Sequence, residues 1–329
     1  MTITVLVPTY RRPQDLARCL DALSHQTRPA DQVLVVVRES DRDTWHLLDT
    51  LQQSDDFRLP LTIQTVTVPG QVAALNAGIE AAIGDIISIT DDDAAPHRDW
   101  LENIEAHFQS NANIGGVGGR DWVYGGDTLQ NSRLIPNPAL PIGQVQWFGR
   151  VIGNHHIGSG DVREVDVLKG VNMSYRRTAI GNQRFAKTLR GNGAQVHNDR
   201  DFSLRLKKQG WTLIYDPKVA VKHYPAQRFD DDGRNHFNAT AQVNAVHNET
   251  LIMLAYLSSL QRFWFIAWAI LIGTRDSFGV VQFLRFLPTE KSKSWQKWLA
   301  AIKGRWAGWQ TWLASINLTN PTCSPIQNP

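Results

Sequence analysis

Three consecutive carboxylates, Asp91-Asp92-Asp93, follow directly on the apolar run Ile86–Thr90. Like charges at that spacing raise one another's pKa unless something neutralises them, and a divalent cation is the usual partner. Mg2+ and Mn2+ prefer oxygen ligands, and Mg2+ is commonly held by one or two carboxylates together with substrate phosphates. The competing reading is a solvated acidic turn that caps the following helix. Position separates the two, because a buried strand ahead of the triplet sets it at the carboxyl edge of a sheet, where open α/β sheets bind ligands. A second acidic stretch, Asn198-Asp199-Arg200-Asp201, precedes Phe202, Leu204 and Leu206. Asn198, Asp199 and Asp201 each suit a helix N-cap, and either aspartate has the chemistry of a general base. His223 ends the run Val219-Ala220-Val221-Lys222, and by itself a lone imidazole there reads as a surface histidine. Asn154-His155-His156 lacks further ligands at a recognisable spacing and is no zinc site. Gly115, Gly116, Gly118 and Gly119 lack the helix and distal acid of a dinucleotide fingerprint and read as close backbone packing.

The elements that must position these groups alternate. Ile3–Val7 and Gln32–Val37 are Val- and Ile-rich runs of the kind buried in parallel sheets. Between them Pro13 suits a first helical turn, and Leu16, Leu20 and Leu23 recur at helical spacing. Leu61–Val68 then reads as strand, Val72–Ile83 as helix, Asp85–Thr90 as strand and Asp99–Gln109 as helix. This order predicts a doubly wound α/β sheet. Further on, Val165–Leu168 and Val171–Tyr175 read as strands and Asp199–Gln209 as a helix stopped by Gly210. Leu213–Tyr215 and Val219–Lys222 read as strands again, and Leu129–Gly160 as a long functional loop.

Val5-Leu6-Val7-Pro8-Thr9-Tyr10-Arg11-Arg12-Pro13, Asn76-Ala77-Gly78-Ile79 with Gly84-Asp85, and Thr90-Asp91-Asp92-Asp93 with Asp99-Trp100-Leu101 together resemble, in that order, the family 2 glycosyltransferases of GT-A fold, bacterial polysaccharide type. The resemblance continues through Lys169-Gly170-Val171-Asn172-Met173-Ser174-Tyr175-Arg176-Arg177 and Asn198–Phe202 to Gly210-Trp211 and Val219–His223, so it covers residues 3 to 225. It implies a metal-dependent, inverting transfer of a sugar from a nucleotide-diphosphate donor to a hydroxyl acceptor, with Mn2+ or Mg2+ as cofactor. It implies donor contacts at Pro8, Thr9, Tyr10, Arg11, Arg38, Asn76, Asp91, Asp92 and Arg228, and metal ligands at Asp93 and His223. Asp199 takes the place of the base, with Asp201 as the alternate, and Asn154, His155, His156, Lys169 and Asn172 lie on the acceptor side. In the loop from Tyr224 to His236, Arg228 and Arg234 suit bidentate contacts to the diphosphate, with a solvated loop as the alternative reading, while Asp230-Asp231-Asp232 reads as acidic surface. Three positions depart from the family's habit. Arg38-Glu39-Ser40-Asp41 follows the second strand where an Asp is frequent, Leu75 stands where an Arg commonly precedes Asn76, and Asn198 replaces the usual Glu.

Composition bounds the rest. At 329 residues and 42% hydrophobic, the chain can bury a full core, and a net charge of +3 is too small to argue for nucleic acid. Cys19 and Cys323 form neither a disulfide framework nor a zinc site and read as free thiols. Met1–Tyr10 has no basic leader, which places the chain in the cytoplasm. Residues 291–329 differ in kind, with five Lys or Arg, no acid and five of the twelve tryptophans. Leu251–Leu260 and Phe263–Ile272 are apolar blocks interrupted by Gln261-Arg262, too short and too broken for an ordinary span. Trp295, Leu299, Ile302, Trp306, Trp309, Leu313 and Ile316 recur at helical spacing among lysines, which suits a membrane surface; the alternative is a helix packed on protein.

The expected organisation is a GT-A domain over residues 1–245, with a nucleotide-donor half (1–120) and an acceptor half (121–245). A helical, membrane-associating region (246–329) follows, at the inner face of the plasma membrane, with a glycan or lipid-linked acceptor. The rival is a non-catalytic nucleotide- or glycan-binding protein that keeps the fold, which Asn198 favours. A sugar-phosphate nucleotidyltransferase would need a Gly-rich loop after the first strand, and Pro8-Thr9-Tyr10-Arg11-Arg12 has no glycine.

Overall fold

The strands over Ile3–Thr9, Gln32–Arg38 and Ile86–Thr90 are buried on both faces, and their side chains sort by a period of two. In a computed structural model, which describes residues 1–126, 128–130, 137, 139–229 and 237–319, Leu6, Leu34 and Val36 enter one apolar cluster. Val5, Val7, Val33, Val35 and Val37 enter the other, across the sheet. The elements here are β1 (Ile3–Thr9), α1 (Pro13–Ser24), β2 (Gln32–Arg38), α2 (Arg42–Gln52), β3 (Leu61–Val66), α3 (Gln71–Ala81) and β4 (Ile86–Thr90). Next come β5 (Ala94–Pro96), α4 (Trp100–Ser110), β6 (Ile114–Gly125), β7 (Thr128–Leu129), β8 (Gln144–Val145), β9 (Val151–Ile152) and β10 (Arg163–Val165). They are followed by β11 (Asn172–Arg176), α5 (Arg177–Ile180), α6 (Asn198–Lys208) and β12 (Thr212–His223). Four helices end the described chain: α7 (Ala239–Tyr256), α8 (Ser259–Leu271), α9 (Val280–Glu290) and α10 (Ser292–Thr319).

The sheet runs β10-β12-β6-β11-β4-β1-β2-β3, with β5 on β12 and β7 on β6. β3, β2, β1 and β4 are parallel, and β11 is antiparallel to β4 and β6, so the sheet is mixed and wound in both directions from β1. The strand order reverses between β1 and β4, and at such a switch point the loops diverge and leave a cleft beyond the carboxyl ends. Thr9-Tyr10 and Asp91–Asp93 both emerge there.

Several expectations change. Residues 166–168 are not strand: Asp166 and Val167 N–H groups both donate to Gly143 O and turn the chain after β10. The two segments expected around 213 and 220 are one strand, β12, with an irregularity between Asp216 and Val221. α2 and β6 were not legible as elements, although Gly115, Gly116, Gly118 and Gly119 do pack closely, a Cβ on Gly119 meeting Val219 and Asp216 carbonyls. The expected boundary at 245/246 falls inside α7. That helix is held to the domain by Asn248, whose amide bonds Arg190 N and O and Val196 O.

The apolar blocks around residue 260 do not join into one helix. Leu251–Leu254 are buried within α7, and a capping box of Ser258 and Gln261 starts α8. Among the described residues no helix is long and apolar enough to cross a membrane. α10 lies along α7 through its small residues: a Cβ on Gly304 or Gly308 would come within 2.7 Å of Val243 O or His247 O. His247 and Thr311 add a hydrogen bond of 2.9 Å across that contact. Cys19 is buried in the sheet-facing side of α1, and Cys323 lies outside the described residues.

Candidate active site

The side chains of the acidic triplet go to different partners. Asp92 turns inward. It is 2% exposed, Oδ2 accepts from Thr9 Oγ1 (2.8 Å), and Oδ1 accepts from Arg12 Nη1 (2.7 Å). Burial pushes its carboxyl above the usual range, with Arg12 opposing and Asp93 and Asp91 adding to the rise. Asp92, expected at the donor, lines the cleft and also ties the loop after β1 to the end of β4. Asp91 stays half-buried at the cleft wall, where Gln71 Nε2 donates to its Oδ1 (3.3 Å). Asp93 is fully buried and faces β12, with Oδ2 accepting from Ala226 N–H (2.9 Å).

Pairing of β5 with β12 sets His223 opposite Ala94, and therefore beside Asp93. His223 Nε2 lies 3.5 Å from Asp93 Oδ1, and Nδ1 lies 3.5 Å from Asp121 Oδ2. Asp121 is fully buried on β6 and also pairs with Lys169. Burial alone would lower the imidazole's pKa, but Asp121 and Asp93 hold it up to about 9. Burial likewise works against the charge of Asp121, yet His223 and Lys169 hold it below the ordinary carboxylate range. The pocket thus favours a positive charge between two carboxylates. Ligand atoms of Asp91, Asp93 and His223 all lie within 4.8 Å of one another. Two carboxylates and an imidazole suit Mn2+ or Mg2+, and Asp121 behind His223 makes the carboxylate–histidine arrangement that orients metal-bound imidazoles. The residues fit a divalent cation.

The cleft beside this cluster is lined by Pro8, Thr9, Tyr10, Arg38, Asp91 and Arg228, all expected at the donor, together with Gln71. Arg38 stacks on Tyr10 with its guanidinium carbon 3.7 Å from the ring centre. Arg11 does not line the cleft: its guanidinium lies over Phe229. Its backbone has φ 58°, a strained region for a non-glycine residue, and Asp41 Oδ2 holds its N–H at 2.5 Å. Asp41 also accepts from Thr44 N and Oγ1, so the carboxylate after β2 braces this loop. Asn76 is likewise removed from the donor. It is buried on α3, and its amide exchanges two hydrogen bonds with Phe185 (3.0 and 2.8 Å). Arg234 and Asp230–Asp232 lie outside the described residues.

Across the cleft, α6 carries Asp199 in its first turn, where the helix dipole favours negative charge. Asp199 Oδ2 accepts from Gly170 N–H (2.9 Å) and Oδ1 from Arg200 N–H (2.8 Å). Asp201 is paired one turn along the helix with Arg205 (2.8 Å), which leaves it directed along α6. Asn198 Nδ2 donates to Ala194 O (2.9 Å), Gln195 O (3.2 Å) and Gln71 Oε1 (3.4 Å). A Glu at this position could not donate to those carbonyls, so the amide belongs with this chain's 194–197 turn. Through Gln71 it joins the start of α6 to Asp91.

Of the residues expected at the acceptor, Lys169 sits next to Gly170 and bonds Asp121. The other four do different work. Asn172 is buried, accepts from Trp100 Nε1 (2.9 Å) and donates to Val219 O (2.8 Å). His155 is buried, hydrogen bonded to Val167 O (3.0 Å), and burial lowers its pKa. Asn154 takes a left-handed turn with φ 56° and donates to Pro141 O. His156 is half-buried, its pKa lowered by burial, and its carbonyl accepts from Arg120. Sequence reasoning missed Arg12, Gln71 and Asp121. Only Asp121 carried a signal, an acid two residues beyond the glycine run.

Residues 4–168 match the family described as glycosyl transferase family 2. Glycosyltransferase AglE of Haloferax volcanii is 33% identical over 102 residues, 30% of this chain and 33% of that protein, so the match spans about a third of its length. The same organism's glucosyl-dolichyl phosphate glucuronosyltransferase is 23% identical over 233 residues, 68% of this chain and 69% of the relative. Among solved structures, S. aureus TarS in complex with UDP-GlcNAc superposes with TM-score 0.59 at 15% identity, covering 92% of this chain and 79% of that one. The mannosyltransferase PcManGT from Pyrobaculum calidifontis, in complex with GDP-Man and Mn2+, gives 0.55 at 17% identity over 95% and 87%. These two likenesses show a shared GT-A fold.

Proposed function

Because the chain belongs to glycosyl transferase family 2, we propose that it moves a glycosyl group from a nucleoside-diphosphate sugar to a hydroxyl of a glycan or lipid-linked acceptor, with inversion. One observation carries this reading: Asp91, whose carboxylate lies within 4.8 Å of ligand atoms of Asp93 and His223, also lines the cleft that the loop after β1 and the start of α3 enclose. In this reading the Tyr10–Arg38 stack receives the base, Asp91 and Gln71 the ribose side, and Arg228 the diphosphate. Asp93 and His223, with Asp91, hold Mn2+ or Mg2+. When bound, such a cation supplies positive charge to a departing diphosphate.

Asp199, fixed by the Gly170 and Arg200 N–H groups, accepts the proton of the acceptor hydroxyl. The acceptor oxygen bonds to the anomeric carbon as the bond from that carbon to the diphosphate oxygen breaks. The nucleoside diphosphate leaves, and the attack from the opposite side inverts the centre. That the Haloferax volcanii relative is a glucosyl-dolichyl phosphate glucuronosyltransferase supports a lipid-linked acceptor, and we set the work at the inner face of the plasma membrane. Asn198, the feature that favours a non-catalytic binding protein, is engaged in its own turn and leaves Asp199 in place.

A panel of UDP- and GDP-sugars tests the reading without an acceptor. Binding that requires Mn2+ or Mg2+, with slow release of free sugar, is expected. No binding with either cation overturns it, and binding without any hydrolysis or transfer returns the protein to the non-catalytic class.

A further inference from the structure

We propose that α8, α9 and α10 together form a face that docks into the headgroup and outer acyl layer of an anionic bilayer leaflet. It rests on the lipid-linked acceptor reading only for the orientation of the cleft. The first observation is that α10 has two apolar faces and the protein uses the small one. Ala300, Ala301, Gly304 and Gly308 are buried, the two glycines directly against α7. The large side chains, Trp295, Leu299, Ile302, Trp306, Trp309 and Leu313, recur every three or four residues on the solvent side, with Trp306 60% exposed. A helix that meets only water carries polar residues there.

The second observation is continuity. α8 presents Leu260, Phe263, Trp264, Ile270 and Leu271 outward at the same helical spacing. Between the two helices runs an apolar groove lined by Ile266, Phe278, Trp298, Ile302, Trp306 and Trp309. Arg305 fixes the groove's wall by donating to Phe278 O (2.9 Å) and to Ser277 O and Oγ (3.1 and 2.9 Å). α9 adds Val280, Val281 and Leu284, all exposed. Of the twenty-one exposed large apolar residues among those described, fifteen belong to residues 260–313, so this is one patch and not scattered surface. It reaches the turn between β8 and β9, because Trp147 and Phe148 there meet Trp264 and Trp268 edge to face (6.0 and 5.3 Å between ring centres).

Charge selects the occupant. Residues 257–319 hold eight Lys or Arg against Asp276 and Glu290, and Arg275, Arg285, Lys291, Lys293 and Lys303 are exposed. A second copy packed face to face would set that basic surface against itself, whereas an anionic leaflet neutralises it. Tryptophan beside lysine is also the composition that settles at headgroup depth. Since no described helix is a span, the face lies in the interface.

The test is flotation of the full-length protein with vesicles of phosphatidylcholine and phosphatidylglycerol in equal parts, with no donor or acceptor present. The wild type is expected to float with the vesicles and to be quenched by brominated lipid. Trp306→Glu with Trp309→Glu should weaken partitioning by at least about tenfold, with an unchanged melting curve and unchanged metal-dependent nucleotide-sugar binding. Lys293→Glu and Lys303→Glu should each cost roughly fivefold on these vesicles and little on pure phosphatidylcholine. A wild type that stays with the soluble fraction at low salt overturns the proposal, as does a tryptophan variant that floats equally well. A wild-type dimer that the tryptophan pair converts to monomer assigns the face to a second copy instead. Nucleotide-sugar binding is read separately, so loss of the donor reading and loss of the docking face are distinguishable.

Discussion

The region around the end of β4 and the C-terminal helices invert the usual partition of side chains in opposite ways. Around the end of β4 the protein buries charge: Asp92, Asp93, Asp121 and His223 are all less than a tenth exposed. On α8–α10 it exposes tryptophan and leucine. Globular proteins rarely bury carboxylates without partners or leave large apolar patches in water. In the first region three carboxylates face one arginine, one histidine and one lysine, plus backbone N–H groups, and ligand atoms of Asp93 and His223 lie within 4.8 Å of those of Asp91. In the second, the sheet already supplies the core, so the exposed apolar area adds nothing to folding. On the two proposals made for this chain, each inversion is completed by something other than the chain itself, a metal and diphosphate in one case and a lipid surface in the other.

The comparison is broken most directly at Asp93. Asp93→Ala should abolish metal-dependent donor binding, a loss of at least about a hundredfold, measured by calorimetry with UDP- and GDP-sugars in Mn2+. Unchanged affinity would mean the buried acids serve stability alone. Asp199→Asn should lower transfer by about 10²–10⁴-fold with donor affinity kept, since a base acts on the acceptor proton. Normal transfer by that variant, with loss in Asp201→Asn, would reassign the base.

Asp121→Asn sharpens the picture of how His223 is held. Loss of its carboxylate should weaken Mn2+ binding about 10–100-fold, followed by electron paramagnetic resonance of the free ion, without loss of the folded far-ultraviolet spectrum. An unaltered Mn2+ affinity would confine Asp121 to its ion pair with Lys169. The smallest effect is expected where the helices join the domain. Gly308→Val would press a side chain on His247 O and Thr250 and should cost about 1–3 kcal/mol, read as a lower melting temperature. Stability equal to wild type would show that α10 is not firmly seated on α7 and that its outer face has no fixed direction.

The sequence alone determined the parts that depend on neighbours along the chain. Continuous Val- and Ile-rich runs give β1 and β2, and Pro13 with the leucine spacing gives α1. The apolar run ahead of Asp91 sets three acids at a strand end, and the Trp295–Leu313 spacing marks an amphipathic face of α10. Tertiary structure decided where those groups point and what they meet. After a strand ends, no period governs the chain, so only the folded loop shows Asp92 turning to Thr9 and Arg12 while Asp91 faces the cleft. Asn76, Asn172 and His155 have side chains suited to ligands, yet each is spent on a backbone group or tryptophan distant in sequence, because a buried amide or imidazole must be satisfied wherever the fold places it. Gln71 was unreadable for the same reason, its partners lying at the end of β4 and on α6, and the role of Asp121 rests on partners on β12 and near β11. α10 shows the division most plainly: its spacing reveals a face of large apolar residues, but the close approach that α7 allows through Gly304 and Gly308 is what buries the small face and leaves the large one outside.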